Sequence, residues 1–133
     1  MKTLTKEEVE QLFNEAVKAS NNAHCPYSNF PVGAALMGDD GKIYTGCNVE
    51  NASYGLTICA ERTAIFKAIS EGCKHIEAIM IVATKGHHTP PCGACRTVID
   101  EFIPKGEDIP VIFGENFNEL IYTTAKTLYT ADF

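Results

Sequence analysis

The sequence predicts an α/β protein, a single-domain three-layer α/β/α sandwich whose mixed five-stranded sheet lies between helices. Three observations support this fold class. Three segments place apolar residues at helical spacing, five short apolar runs are typical of strands, and the two kinds of segment are interspersed along the chain. Such an order favours a sheet covered by helices. Because the 133 residues contain no linker or repeat, residues 1–133 are expected to form one domain.

A capping box marks the start of the first predicted helix. Thr5 can cap the helix with its hydroxyl, and Glu8, three residues later, can bond back to the Thr5 amide. Residues 23–31 contain two prolines and are expected to form a loop. Between the capping box and this loop we expect a helix that ends at residue 21 or 22. Its apolar stripe is formed by Val9, Leu12, Phe13, Ala16 and Val17.

The next segments predict a β-hairpin followed by a second helix. Residues 32–37 and 42–48 are strand-like and flank the turn sequence Gly-Asp-Asp-Gly. The polar segment that follows is expected to be a loop. A second helix then begins at Ile58 or Cys59 and ends at Gly72, a residue type that commonly terminates helices.

The second half of the chain predicts three further strands and one helix. Residues 77–84 are apolar enough to form a strand inside a covered sheet. A short helix is expected over residues 93–102, because Pro104 cannot continue it. Residues 109–113 and 120–123 are the last two predicted strands, and a short C-terminal segment follows them.

Charge and composition exclude several classes of partner. The formal net charge of −6 argues against a nucleic-acid partner, because a phosphate backbone needs a basic face. The chain starts without an apolar leader, and its longest apolar stretch, residues 76–83, is too short to cross a bilayer. These features predict a cytoplasmic protein without a membrane partner. In a reducing compartment, the six cysteines indicate metal or redox chemistry rather than disulfides.

A split cysteine motif is the strongest functional signal in the chain. Cys59 precedes Cys92 and Cys95 by about thirty residues, and three thiolates from these positions can bind one zinc ion. A tetrahedral zinc with three protein ligands keeps a fourth position open for water or substrate, as catalytic zinc sites do. Glu61, two residues after the first cysteine, is well placed to move protons beside the metal.

Both halves of the motif lie at predicted helix starts. The partial positive charge of a helix N-terminus lowers the pKa of a thiol and favours the thiolate that zinc requires. Three thiolates leave a zinc centre with a net negative charge. Arg62 and Arg96 directly follow motif residues and can offset that charge by hydrogen bonding to sulfur.

Two other interpretations of the cysteines remain open. A closed structural zinc site would need a fourth ligand, for which the candidates are Cys73, His75, His87 and His88. A thioredoxin-like redox pair at the Cys-x-x-Cys sequence would leave the rest of the motif without a role. The cysteines outside the motif, expected to be small buried apolar side chains, are Cys25, Cys47 and Cys73.

Four blocks of the sequence resemble the short-chain, homotetrameric type of zinc-dependent cytidine deaminase. Residues 57–64 and 91–96 contain the Cys-Ala-Glu and Pro-Cys-x-x-Cys elements of that family, and residues 26–36 and 46–54 match it as well. The blocks occur in the family's order and extend over nearly the whole chain. The resemblance implies a cytidine deaminase-like fold, one zinc ion per subunit on the three motif cysteines, and Glu61 as the catalytic residue.

The resemblance also implies which residues bind the substrate. Asn48 and Glu50 match the pair that hydrogen-bonds the ribose hydroxyls, and Phe30 matches the aromatic packed against the pyrimidine ring. Ala60 matches the residue whose backbone contacts the base, and Arg62 matches the arginine that neutralises the thiolates.

The same resemblance implies a homotetramer with active sites at subunit boundaries. In that family a C-terminal aromatic of one subunit covers a neighbour's pocket, and Phe133 occupies the matching place. Two departures from the family pattern leave the metal ligands untouched. Thr97 stands where the family usually has Gln, and residues 128–130 replace a Leu-Leu-Pro turn, which affects the path of the tail.

The implied function is hydrolytic deamination of cytidine and deoxycytidine to uridine and deoxyuridine in pyrimidine salvage. Zinc-bound hydroxide is expected to attack C4 of the base while Glu61 shuttles protons. Three alternatives are a deaminase of another small molecule, such as a guanidine-bearing nucleoside antibiotic, a polynucleotide-editing deaminase and a non-catalytic zinc module. The Asn-x-Glu pair argues against the first, the acidic charge and short loops argue against the second, and the third needs a fourth protein ligand.

Overall fold

The computed structural model describes residues 1–86 and 90–130, in which five strands form one sheet. In chain order the strands are β1 (Gly33–Gly38), β2 (Ile43–Cys47), β3 (Ile76–Val82), β4 (Pro110–Gly114) and β5 (Ile121–Thr124). The α-helices in the described part of the chain are α1 (Lys6–Ser20), α2 (Ala60–Ser70), α3 (Gly93–Glu101) and α4 (Ala125–Thr130). None of these helices is long and apolar enough to span a membrane.

The sheet is mixed, as the sequence predicts. Its strand order is β2-β1-β3-β4-β5, with β3 and β4 parallel and every other neighbouring pair antiparallel. In the register, Leu36 of β1 lies between Tyr44 of β2 and Ile79 of β3. A parallel pair needs a crossover connection, and α3 lies within the one that joins β3 to β4. The segment after β3 therefore leads from one end of the sheet directly into a helix.

Helices cover both faces of the sheet and confirm the predicted three layers. On one face α1 contributes Val9, Leu12 and Ala16 to a buried cluster with side chains of β1, β3 and β4. The other face carries α2, α3 and α4, whose buried side chains form a larger cluster with the opposite sides of the strands. Alternate residues of β1 pack into the two clusters: Ala34 belongs to the cluster with α2, and Ala35 belongs to the cluster with α1.

The boundaries of the predicted elements agree with the structure to within two residues. The capping box of α1 is formed in full. Thr5 Oγ1 accepts a hydrogen bond from the Glu8 amide at 3.1 Å, and Glu8 Oε1 accepts one from the Thr5 amide at 2.9 Å. These two bonds satisfy amide groups that a helix start otherwise leaves open.

The helix α4 lies in the C-terminal segment, for which the sequence predicts no helix or strand. Its first turn is capped from two sides, because Asp108 Oδ1 accepts from the Lys126 amide at 3.0 Å and Thr124 Oγ1 accepts from the Thr127 amide at 3.2 Å. Leu128 is buried in the core cluster to which α2 and α3 also contribute. A helix of one to two turns is marginal alone, so these tertiary contacts stabilise it.

A glycine in β2 allows α2 to lie directly on the sheet. A Cβ at Gly46 would lie 2.5 Å from the Ala64 nitrogen and 2.8 Å from the Ala60 carbonyl oxygen. Both are backbone atoms of α2, which cannot move aside as a flexible side chain can. The contact therefore sets the distance between β2 and the start of α2, the part of the helix that follows Cys59.

The close approach at Gly46 predicts a large effect of a single methyl group. Gly46→Ala should lower the free energy of unfolding by about 1–3 kcal/mol, because α2 must move away from the sheet. Urea denaturation followed by circular dichroism measures the change. Gly55→Ala is the matched control, since a Cβ there has nothing within 4 Å and should leave the unfolding midpoint nearly unchanged. Equal stability of the two variants would contradict the proposed contact.

Candidate active site

The three cysteines of the split motif meet at one end of the sheet. Cys59 is the N-cap of α2 and Cys92 is the N-cap of α3, with Cys95 in the first turn of α3. The helix α2 begins beside Gly46 in β2, and the segment leading to α3 begins after Val82 in β3. In the register these two points lie at the same end of the sheet, on either side of Gly33. This convergence explains how ligands so distant in sequence become neighbours.

The three sulfur atoms have a spacing that suits zinc. Sγ of Cys92 lies 3.8 Å from Sγ of Cys59 and 3.4 Å from Sγ of Cys95, and all three atoms lie within 4.8 Å of one another. Zinc–sulfur bonds of about 2.3 Å in a tetrahedron place the sulfurs about 3.8 Å apart. The donor set and its geometry therefore fit a zinc ion with three thiolate ligands.

Two of the candidates for a fourth ligand are occupied elsewhere. Cys73 and His75 lie in the α2–β3 connection, beside the turn of the β1–β2 hairpin, at the other end of β1 from the cluster. There the Cys73 thiol hydrogen-bonds the His75 carbonyl at 3.1 Å, and His75 Nδ1 lies 3.5 Å from a carboxylate oxygen of Asp39. His87 and His88 lie outside the described residues. Within the described ranges the ligand group contains the three cysteines alone.

Hydrogen bonds lower the pKa of the Cys59 thiol. A hydrogen bond from Cys95, followed by one from Arg62, lowers the pKa of Cys59 to about 5. The same pairing raises the pKa of Cys95, since its proton is shared with the Cys59 thiolate. Arg62 Nη2 lies 3.4 Å from Sγ of Cys59, and the neighbouring thiolate raises the pKa of this guanidinium. Arg62 thus occupies the place that the sequence predicts for it.

The thiolate environment adds one detail to the sequence-based expectation and departs from it in another. Neither Cys59 nor Cys92 accepts a capping hydrogen bond from the helix that it precedes, so the direct partners of the Cys59 sulfur are side chains. Arg96 directs its guanidinium to backbone carbonyls, with Nε 2.7 Å from the Pro91 oxygen and Nη1 3.1 Å from the Leu128 oxygen. This arginine joins α3 to α4.

Glu61 is the buried acid of the site. It is the second residue of α2 and is only 4% exposed. Burial raises the pKa of its carboxyl to about 7, and the charge on Cys59 acts in the same direction. A hydrogen bond with Cys95 and the charge of Arg62 oppose that rise. A carboxyl group with a pKa near neutrality can both accept and donate a proton, which is the requirement for a proton shuttle.

A cavity of about 400 Å³ opens beside the sulfurs and Glu61. Its volume lies within the range of small-molecule sites, about 300–1,000 Å³. Most of the predicted site residues share this cavity wall: Phe30, Asn48, Glu50, Cys59, Ala60, Glu61 and Cys92. The wall combines an apolar part with a few polar groups, an arrangement that can orient a small polar ring next to a metal.

Asn48 and Glu50 also hydrogen-bond the loop that carries Phe30. The sequence does not reveal this role. Asn48 is buried, with Oδ1 accepting from the Val32 amide and Nδ2 donating to the Phe30 carbonyl, both at 2.9 Å. Glu50 Oε1 accepts from two consecutive backbone amides of the same loop, each at 3.1 Å. Both residues therefore face the cavity and support its wall.

The position of the Phe30 ring depends on contact with a glycine, Gly86. A Cβ at Gly86 would lie 2.2 Å from Cζ and 2.3 Å from Cε1 of Phe30. The ring therefore rests on the bare backbone of Gly86, just after β3. Pro90, in the same connection, lines the cavity as well.

Sequence reasoning does not identify every residue that lines the cavity. Ser28, Tyr54 and Thr57 line the cavity. The only sequence signal for them is their position within the two loops that contain Phe30 and Glu50. Phe133 lies outside the described residues. Thr97 donates its hydroxyl to the Gly93 carbonyl at 3.0 Å, within its own helix.

Comparison with known proteins identifies the family. The family model of the cytidine and deoxycytidylate deaminase zinc-binding region matches residues 6–107. The cytidine deaminase of Sporosarcina psychrophila is 55% identical over 126 residues, which cover 95% of this chain and 91% of that protein. The cytidine deaminase of Halalkalibacterium halodurans is 47% identical over 124 residues, covering 93% of this chain and 92% of that protein.

Solved structures agree with the sequence comparison. The crystal structure of cytidine deaminase from Burkholderia pseudomallei has a TM-score of 0.84 and 41% identity, covering 98% of this chain and 100% of that one. The enzyme from Mycobacterium leprae has a TM-score of 0.78 and 35% identity, covering 92% of this chain and 97% of that one. Since the family model matches most of its length and these relatives match nearly all of it, this chain belongs to the family of zinc-binding cytidine and deoxycytidylate deaminases.

Proposed function

We propose that this protein catalyses the hydrolytic deamination of cytidine and deoxycytidine to uridine and deoxyuridine, with one zinc ion per subunit. The observation that carries the proposal is the buried Glu61 carboxyl beside three sulfurs of zinc-ligand spacing, with Cys59, Glu61 and Cys92 lining one cavity. Relatives that share nearly the whole chain are cytidine deaminases. This reaction suits a role in pyrimidine salvage, in which a free nucleoside is returned to the uridine pool.

The cavity wall supports a nucleoside as substrate. Phe30 offers an aromatic face for the pyrimidine ring, and Ala60, which is fully buried at the start of α2, offers its backbone to the base. Asn48 and Glu50 line the part of the wall where sugar hydroxyls would find hydrogen-bond acceptors and donors. Among the described residues, no lysine or arginine lines the cavity, so a neutral sugar suits it better than a phosphate.

The proposed mechanism centres on proton transfers by Glu61. A zinc ion bound by Cys59, Cys92 and Cys95 would supply a Lewis acid that makes a water molecule acidic. Glu61 accepts a proton from the attacking water and passes it to N3 of the base, so that C4 becomes more electrophilic. After water oxygen has added to C4, Glu61 takes the remaining proton of that water and delivers it to the amino group, which leaves as ammonia while the C4 oxygen becomes the carbonyl of uridine. Cytidine and water are consumed, and uridine and ammonia are formed.

Assembly and location are part of the proposal. We propose a homotetramer with shared active sites, in which Phe133 of one subunit covers a neighbour's cavity. Tyr54 is 91% exposed and Leu56 is 64% exposed at the cavity side of the chain, which supports burial by another subunit. A cytoplasmic location suits the thiolate ligands, because a reducing compartment keeps the free cysteines from forming disulfides.

An ultraviolet assay tests the reaction and the substrate class together. Purified protein with bound zinc should deaminate cytidine and deoxycytidine and leave cytosine unchanged, because the free base lacks the sugar that Asn48 and Glu50 bind. Zinc content is measured on the same sample. Turnover of cytosine at a rate similar to that of cytidine would contradict a nucleoside substrate.

Glu61→Gln should abolish turnover while leaving the metal in place. The amide has nearly the same shape but cannot accept and return a proton, so kcat should fall by about 10²–10⁴-fold or more. Metal analysis should give the same zinc content as the unmodified protein. Glu10→Gln, which makes the same change at an exposed residue of α1, serves as the control and should keep full activity. Full activity in Glu61→Gln would exclude this residue as the proton shuttle.

Cys92→Ala should remove both zinc and activity. Catalytic zinc sites have three protein ligands and structural sites have four. The two thiolates that remain in Cys92→Ala are therefore too few to hold the ion. Cys25→Ala is the matched control, because Cys25 lies in the loop after α1 and is not part of the sulfur cluster. Zinc retained at one equivalent in Cys92→Ala would show that another residue completes the site.

Gly86→Ala should weaken nucleoside binding through Phe30. The added methyl group would lie 2.2 Å from the ring, so the ring must shift into the cavity or out of it. An overpacking penalty of about 1–3 kcal/mol on binding corresponds to a rise in KM of about 5- to 150-fold. Steady-state kinetics with cytidine measures the change, with Ser70→Ala, at the exposed end of α2, as control. An unchanged KM would mean that Phe30 does not contact the base.

A further inference from the structure

One hydroxyl group connects the two parts of the cavity wall that are proposed to bind the nucleoside. Ser28 Oγ donates a hydrogen bond to Oε2 of Glu50 and accepts one from the backbone N–H of Phe30 at 3.1 Å. Glu50 and Phe30 thus share one hydrogen-bond partner, the Ser28 hydroxyl. Ser28 lines the cavity itself, next to both of them.

Ser28 limits how Glu50 can bind a ligand. Glu50 Oε1 already accepts from the amides of Tyr27 and Ser28 at 3.1 Å each, and Oε2 accepts from the Ser28 hydroxyl. A carboxylate offers about four lone-pair sites, so these three bonds leave about one open. Because Glu50 faces the cavity, that remaining site is the one available to a ligand hydroxyl.

The same hydroxyl keeps Glu50 in its charged form. The hydrogen bond from Ser28 is the largest contribution that holds the pKa of Glu50 below its ordinary value. An ionised carboxylate is a stronger acceptor than a protonated one, and hydrogen bonds to it are roughly twice as strong as neutral ones. Ser28 therefore influences both which lone pair of Glu50 remains available to a ligand and how strongly that lone pair accepts a hydrogen bond.

The backbone on the other side of Ser28 needs support to keep its conformation. Asn29 has a φ of +55°, in the left-handed region that residues with a Cβ rarely adopt. Its amide donates to the Cys25 carbonyl at 2.9 Å, which closes the turn. Phe30 is then held at its N–H by Ser28 and at its carbonyl by Asn48.

We infer that Ser28 is a positioning residue for the nucleoside, which it orients through the Glu50 carboxylate and the Phe30 backbone. This inference rests on the proposed function and assigns a role at the same site. Ser28 bonds to residues of the wall and not to Glu61, so it acts on substrate binding and leaves the proton transfers unchanged.

Kinetics of Ser28→Ala, Ser28→Thr and Ser70→Ala test the inference. Ser28→Ala should raise KM for cytidine on the order of 10-fold, since a hydrogen bond to a charged group is lost, and kcat should stay within about twofold. Ser28→Thr restores the hydroxyl and should restore KM. Ser70→Ala removes a single serine hydrogen bond, to the Lys67 carbonyl at the far end of α2, and should match the unmodified protein. An unchanged KM in Ser28→Ala, or no rescue by Thr, overturns the inference.

A substrate without the 2′- and 3′-hydroxyls separates the Glu50 route from a general loss of loop structure. 2′,3′-Dideoxycytidine lacks the ring hydroxyls that Glu50 is proposed to bind, so the rise in KM caused by Ser28→Ala should be several-fold smaller than with cytidine. An equal rise for both substrates would show that Ser28 does not act through Glu50 and would overturn this part of the inference.

A readout that needs no turnover keeps the inference separate from the proposed function. Carboxyl carbon NMR with labelled glutamate follows the titration of Glu50, assigned through Glu50→Gln. The pKa of Glu50 should rise in Ser28→Ala and return in Ser28→Thr, because the hydroxyl stabilises the carboxylate. An unchanged pKa would overturn the link between Ser28 and Glu50. A protein that deaminates neither nucleoside yet shows this pKa rise would overturn the proposed function and keep the link.

Discussion

The contact between α2 and the bare backbone of Gly46 is the constraint on which the site depends. It places the first turn of α2, and with it Cys59, Ala60 and Glu61, at one end of the sheet. The parallel pairing of β3 and β4 brings the start of α3 to the same end, because the crossover between those strands begins there. The three cysteines are therefore positioned by backbone packing of the sheet and its helices.

Charge within the site is concentrated around a single guanidinium. Three sulfurs and a buried carboxyl gather within one small volume, and Arg62 hydrogen-bonds the sulfurs of Cys59 and Cys95. Burial favours the neutral form of Glu61, whereas Arg62 and Cys95 favour its charged form. The opposition of these effects, and not any one of them, leaves the carboxyl able to exchange a proton near neutral pH.

The sequence predicts those features that depend on residues close together in the chain. The capping box of α1, the hairpin around Asp39 and Asp40, and the cysteine spacing are local patterns, and all three appear in the structure. The helix α4 could not be predicted, because Asp108 caps it from 18 residues away. The support that Asn48 and Glu50 give to the Phe30 loop also depends on tertiary contacts. The residue types at these positions predict ligand binding, but they do not predict this structural role.

The double role of Asn48 and Glu50 restricts how this cavity can change during evolution. A substitution at either position alters the groups offered to a ligand and at the same time removes hydrogen bonds that hold the neighbouring loop. In the proposed function these residues bind the sugar, so selection for a new sugar or sugar analogue carries a stability penalty. Tyr54 and Thr57 line the same cavity from another segment, and Tyr54 is almost fully exposed in the single chain. Divergence in substrate range should accumulate first at such rim positions.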